Sequence, residues 1–144
     1  MIKEFVNAWD KNKNKLEEYF NTHAQKEFDS YKNILILTVE LVINPYLEEK
    51  DGEIQPLDIY NTMVVGDGNY QGTLLYIIPG YEYEHYIENY IFTYIYYGSC
   101  SNCDTLLGIL SSDRDKFPNK EQTKDFMNLA LHILQHMDFL MHRK

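Results

Sequence analysis

The feature that most constrains this chain is a run of strict two-residue alternation over residues 86–97. Even positions hold Tyr86, Glu88, Tyr90, Phe92, Tyr94 and Tyr96, and odd positions hold Ile87, Asn89, Ile91, Thr93, Ile95 and Tyr97. Successive side chains of a strand point to opposite faces, so the run predicts a strand with one aromatic face and one largely isoleucine face. Two shorter stretches precede it. Residues 58–65 end in Met63-Val64-Val65, and residues 70–78 stop at Pro79-Gly80. Between them, Gly66-Asp67-Gly68-Asn69 is a turn signal, because Asp-Gly tolerates positive φ. The three strands in order predict an antiparallel meander. Its isoleucine face is expected to pack on helices. Its aromatic face is either a second packed layer or an exposed platform, and a platform of that size marks an interface.

The flanks carry helical spacing instead. Ile2, Phe5, Val6, Trp9, Leu16, Tyr19 and Phe20 predict helix over 2–24. The polar run from Asp10 to Lys15 is either the exposed stretch of one helix or a break between two. Ser30 is placed to cap a second helix over 31–43, whose β-branched residues leave a strand as the alternative. Asn44-Pro45 is expected to end that element in either case. Residues 46–57, with Gly52 and Pro56, read as a loop. A short helix is expected over 102–111, and a long amphipathic one over 119–142. Phe126, Ala130, Ile133, Leu134, Met137 and Met141 form the apolar stripe of the latter. The expected fold is α+β. A three-stranded or slightly larger antiparallel meander packs against N-terminal helices and a long C-terminal helix, in one domain spanning 1–144. No apolar run approaches the ~20 residues of a membrane span. Met1-Ile2-Lys3-Glu4 opens no signal-peptide core, so a cytoplasmic protein with no membrane contact is expected.

Charge is segregated. Residues 45–104 hold ten acids and one base, which accounts for the whole net charge of −9. The same segment holds eleven of the thirteen tyrosines. That balance argues against direct nucleic-acid binding by phosphate neutralisation. It suits a protein partner with a basic surface, with tyrosines supplying contact area at small entropic cost. The candidate binding residues are Tyr81, Glu82, Tyr83, Glu84, Tyr86 and Glu88; the alternative is a solubilising acidic surface over a tyrosine-rich core.

Chemistry-bearing residues are few. There is no P-loop, Gly66-x-Gly68 lacks the third glycine of a dinucleotide fingerprint, and Gly98-x-Cys100 is no nucleophile elbow. Cys100-Ser101-Asn102-Cys103 follows a predicted strand and opens a predicted helix, the placement used by thioredoxin-like redox sites. There Cys100 would be the nucleophile and Cys103 the resolving thiol, with Asp104 opposing thiolate formation. His132 and His136, four apart, complete a possible Cys100, Cys103, His132, His136 zinc set. The 28-residue gap between Cys103 and His132 is long for a finger. At about 100° per residue, both histidines also flank the apolar stripe of their helix. No catalytic residue is assigned, and no cofactor is expected unless zinc occupies that set.

Tyr97-Gly-Ser-Cys-Ser-Asn-Cys-Asp-Thr-Leu106, with Gly66-Asp-Gly-Asn-Tyr-Gln-Gly-Thr73 before it, resembles small uncharacterised proteins of phages and prophages of low-GC Gram-positive bacteria. Eleven lysines against two arginines fit an AT-rich genome. The resemblance implies a context and no site residues. The function expected in that context is a non-catalytic acidic binding protein, encoded by a phage or mobile element. It would bind and inhibit a host protein, such as a nucleic-acid-binding defence protein. The alternative is a zinc or dithiol redox protein centred on Cys100 and Cys103. A third possibility is self-association through the aromatic face into a homo-oligomer.

Overall fold

The computed structural model describes residues 2–50, 52, 54–68, 71–81, 89–100 and 102–141. Helix α1 (Lys3–Thr22) is one continuous helix. It buries Phe5, Ala8, Trp9, Leu16 and Phe20, and Asn12 within the polar run is buried too. The Asn12 Nδ2 donates to the Val42 carbonyl at 3.0 Å, so the lysine-asparagine stretch is anchored mid-way and does not break.

Ser30 caps α2 (Tyr31–Thr38), its Oγ accepting from the Asn33 N–H at 3.1 Å. The strand alternative for this segment is not adopted, and Asn44-Pro45 does not end the helix. Residues Val39–Ile43 widen into a π-helical turn, the Asn44 N–H donates to the Val39 carbonyl, and α3 (Asn44–Lys50) carries the helix on. Proline lacks an N–H and collides with the carbonyl four residues back in a regular α-helix. The widened turn directly before it absorbs that conflict. The expected loop over 46–57 is therefore helical at its start. Asn44 is buried beside this junction. Its Nδ2 donates to the Leu57 carbonyl at 2.9 Å and its Oδ1 accepts from the Leu57 N–H at 2.8 Å, completing one residue's main-chain pair.

Strands β1 (Met63–Gly66), β2 (Gly72–Ile78) and β3 (Ile91–Tyr97) form the expected antiparallel meander, in that order. Each begins later than expected. Ile59–Asn61 turn as a 3-10 helix ahead of β1, and the expected β3 positions 86–88 lie outside the described residues. Helix α4 (Thr105–Ile109) starts after the cysteines. Helix α5 (Lys120–Gln135) opens with an Asn119–Gln122 capping box and stops well short of 142. The chain then returns as a two-residue strand, β4 (Asp138–Phe139), antiparallel to the start of β3. Met141, placed by the sequence in the apolar stripe, lies beyond α5 and is exposed.

The helices cover one face of the sheet. Tyr76, Ile78, Ile91, Thr93 and Ile95 are buried beneath them. Thr93 Oγ1 donates to the Ile133 carbonyl at 2.7 Å, locking β3 to α5. The rings of Phe20, Phe28 and Phe126 meet in the helical layer with centroids 4.9–5.4 Å apart. The opposite face carries Met63, Val65, Leu75, Ile77, Phe92, Tyr94 and Tyr96, none of them buried. The aromatic side of β3 is thus part of an open platform.

Candidate functional site

The β1–β2 hairpin closes one end of the platform. Asp67 Oδ1 accepts from the Thr73 N–H at 2.6 Å, and Gly68 takes a φ of 81°. The Tyr97 hydroxyl donates to the Asp67 carbonyl, tying the hairpin to β3. Val65, Gly66, Asp67, Thr73, Leu75 and Tyr94 line a depression of about 400 Å³ here. Tyr96 is 68% exposed on the same face.

At the other end, two segments of chain are fastened together. Leu57 bridges Gly80, the Asp58 N–H donates to the Pro79 carbonyl at 2.7 Å, and the Tyr81 N–H donates to the Pro56 carbonyl at 2.9 Å. In the sequence, the acidic run 48–53 precedes Leu57 and the acidic run 82–88 follows Gly80. Of the candidate binding residues, Tyr81 is 57% exposed there. Glu82, Tyr83, Glu84, Tyr86 and Glu88 lie outside the described residues. Other acids of the middle segment serve the fold. Asp58 is buried and accepts from Asn61 Nδ2 at 2.6 Å. Glu49 pairs with Lys11, whose hydrogen bond and charge hold the Glu49 carboxyl below its ordinary range.

The cysteine turn is compact. A Cβ on Gly98 would overlap the Cys103 carbonyl, and the Cys103 N–H donates to the Cys100 carbonyl at 3.0 Å. The two sulfurs pair as a disulfide across a Cα separation of 5.3 Å, and both residues are exposed. Asp104 does not face them as a free charge. It is buried; its Oδ1 accepts from the Tyr31 hydroxyl at 2.7 Å and the Leu107 N–H at 3.0 Å, and its Oδ2 accepts from the Gly98 N–H at 2.9 Å. Asp104 thus occupies the capping position of α4, which the sequence reading had given to the thiols. The Tyr31 hydroxyl in turn accepts from the Leu106 N–H at 3.2 Å. Burial, reinforced by the Asp104 carboxylate, raises the Tyr31 phenol above its ordinary value.

The histidines sit elsewhere. The His136 ring stacks on Tyr94 with centroids 4.3 Å apart, and its Nδ1 donates to the Tyr94 carbonyl at 3.0 Å. His132 is exposed one turn earlier on α5. Both line a cleft of about 440 Å³ between β3, α4 and α5. Among the described residues no three His, Cys, Asp or Glu side chains gather as a metal site. The structure brings Cys100 to Cys103, and His132 and His136 to one wall, and does not bring the two pairs together. The cleft itself was missed by sequence reasoning. Its signal was present in Asp125, Asn128, His132 and His136, a polar series at helical spacing. No family model matches the chain, and no curated protein or solved structure matches it.

Proposed function

We propose that this chain is a non-catalytic binding protein that docks its open sheet face and its acidic corner on a basic protein surface and blocks it. The observation that supports the reading is the exposure of Met63, Val65 and Tyr96 on the sheet face opposite the helices, beside half-buried Leu75 and Phe92. An apolar face of this kind marks an interaction surface. The Leu57–Gly80 bridge joins two points of the chain at one corner of the sheet, and in sequence an acidic run precedes the first and another follows the second. The phage-like motif makes the partner a host protein, with occlusion of a basic channel as the mode of inhibition.

Tagged protein is used to capture partners from a low-GC Gram-positive lysate at ~50 and ~500 mM salt, since surface charge pairs are screened within about 10 Å at 0.1 M. Capture is expected to weaken with salt. It should also fall in the variant E82K/E84K/E88K, and in V65K on the apolar face. Equal capture by wild type and both variants sinks the reading.

A dithiol–disulfide centre is the second reading, favoured over zinc by the pairing and exposure of Cys100 and Cys103. Serine at both positions abolishes disulfide exchange in that case and leaves capture unaffected in the first.

A further inference from the structure

The far edge of β3 holds a short slot of unused main-chain hydrogen-bonding groups, and strand parity locates it. The Asp67 N–H donates to the Thr73 carbonyl, so odd residues of β2 face β1 and even ones face β3. The β2–β3 register then turns the odd residues of β3 toward β2 and the even residues outward. The other side agrees: the Leu140 N–H donates to the Tyr90 carbonyl at 2.9 Å. Past β4, the outward carbonyl of Tyr94 is taken by His136 Nδ1. Further on, the outward N–H of Gly98 is taken by Asp104. Between these stops Tyr96 alone presents both its N–H and its carbonyl outward, and no group among the described residues meets either.

The slot opens into the cleft of about 440 Å³ under α4 and α5. Buried Ile95, Leu129 and Ile133 and half-buried Ile109 give that cleft an apolar lining, and the exposed carboxylate of Asp125 shares it. We propose that the cleft takes a short extended peptide of a partner protein as an added strand on β3, with an apolar side chain against this lining and a lysine or arginine side chain toward Asp125. The rise from Tyr94 to Gly98 spans about 13 Å, room for about three extended residues lying ~4.8 Å from β3. Tyr96 exchanges two main-chain bonds with the guest, which supplies affinity, and the lining selects its side chain. A second copy of this chain is a poor guest, because two chains of net charge −9 repel. This site stands apart from the acidic corner, and charge reversal there leaves it intact.

The probe is a fluorescent, end-capped hexapeptide of alternating valine and lysine, titrated into the full chain. Saturable binding below about 1 mM is expected, with a shift of the Tyr96 amide resonance. Alternate amides of a strand face its neighbour, so N-methylating one alternate set of probe amides weakens binding at least about tenfold, and methylating the other set changes it little. Ile109→Trp fills the cleft and abolishes binding, with the circular dichroism unchanged. The proposal is overturned by no saturable binding up to about 1 mM, or by equal effects of the two methylated probes. A Tyr96 amide shift that follows protein concentration without peptide, alongside a dimer in sedimentation, also overturns it by assigning the slot to a second copy.

Discussion

Asp104 shows how much one side chain can organise. Its two oxygens cap α4, close the Gly98 turn and anchor Tyr31 of α2, so three elements meet on a single buried carboxylate. A capping role is written in Ser30, where the polar residue precedes an apolar run. At Asp104 the neighbouring cysteines drew the helix start forward, and only tertiary contact with Tyr31, 73 positions away, reveals the true cap. Buried phenols carry a consequence for pH. Burial raises Tyr76 to about 12 and moves Tyr31 in the same direction. An unfolded chain loses these protons near pH 10, about the ordinary tyrosine value, while the fold keeps them. The stability they contribute is thus complete below about pH 10 and is lost as pH rises toward the folded value. The urea midpoint of the wild type should fall between pH ~10 and ~12, and Tyr76→Phe should flatten that fall. Superimposable pH profiles would show that Tyr76 ionises equally in both states.

Elements followed the pattern where period and turn chemistry agreed. The meander order and the packing of the isoleucine face are both readable from residues 58–97, because alternation and Asp-Gly point the same way. The π-turn before Pro45 was not readable, since the rule for proline stops a helix unless the preceding turn widens. The end of α5 was equally hidden: Met137 continues the apolar stripe in sequence, yet the backbone has already turned toward β4 to satisfy the edge of β3. The hairpin provides the test at this scale. Gly68 has positive φ, and a Cβ there would also overlap the Gln71 carbonyl. Gly68→Ala should cost about 1–2 kcal/mol in urea unfolding, more than the ordinary preference of glycine for such positions accounts for alone. A cost near zero would mean that the turn rearranges freely.

At the scale of the whole molecule, a helical layer covers one side of the sheet and leaves the other open. The sequence posed this as a choice between a second packed layer and a platform, and local pattern cannot decide between them. The number of helices available and the side to which they return decide it. Of the candidate binding residues only Tyr81 falls among the described residues, where it is exposed, so the sequence pattern and not the structure carries the acidic, tyrosine-rich surface. Asp58, Asp67 and Asp104 look like surface charge in one dimension and serve main-chain and side-chain donors in three.

The bridge between Leu57 and Gly80 has a consequence in the free protein. It joins the chain at two points that acidic stretches flank in sequence, so closing it shortens the chain path between two runs of like charge. Added salt relieves the repulsion between such runs and should raise the melting temperature of the isolated chain, even as it loosens a basic partner. Opposite signs of salt response for folding and for capture would identify the corner as the common origin of both, and a partner's cations would then stabilise this protein as they bind it.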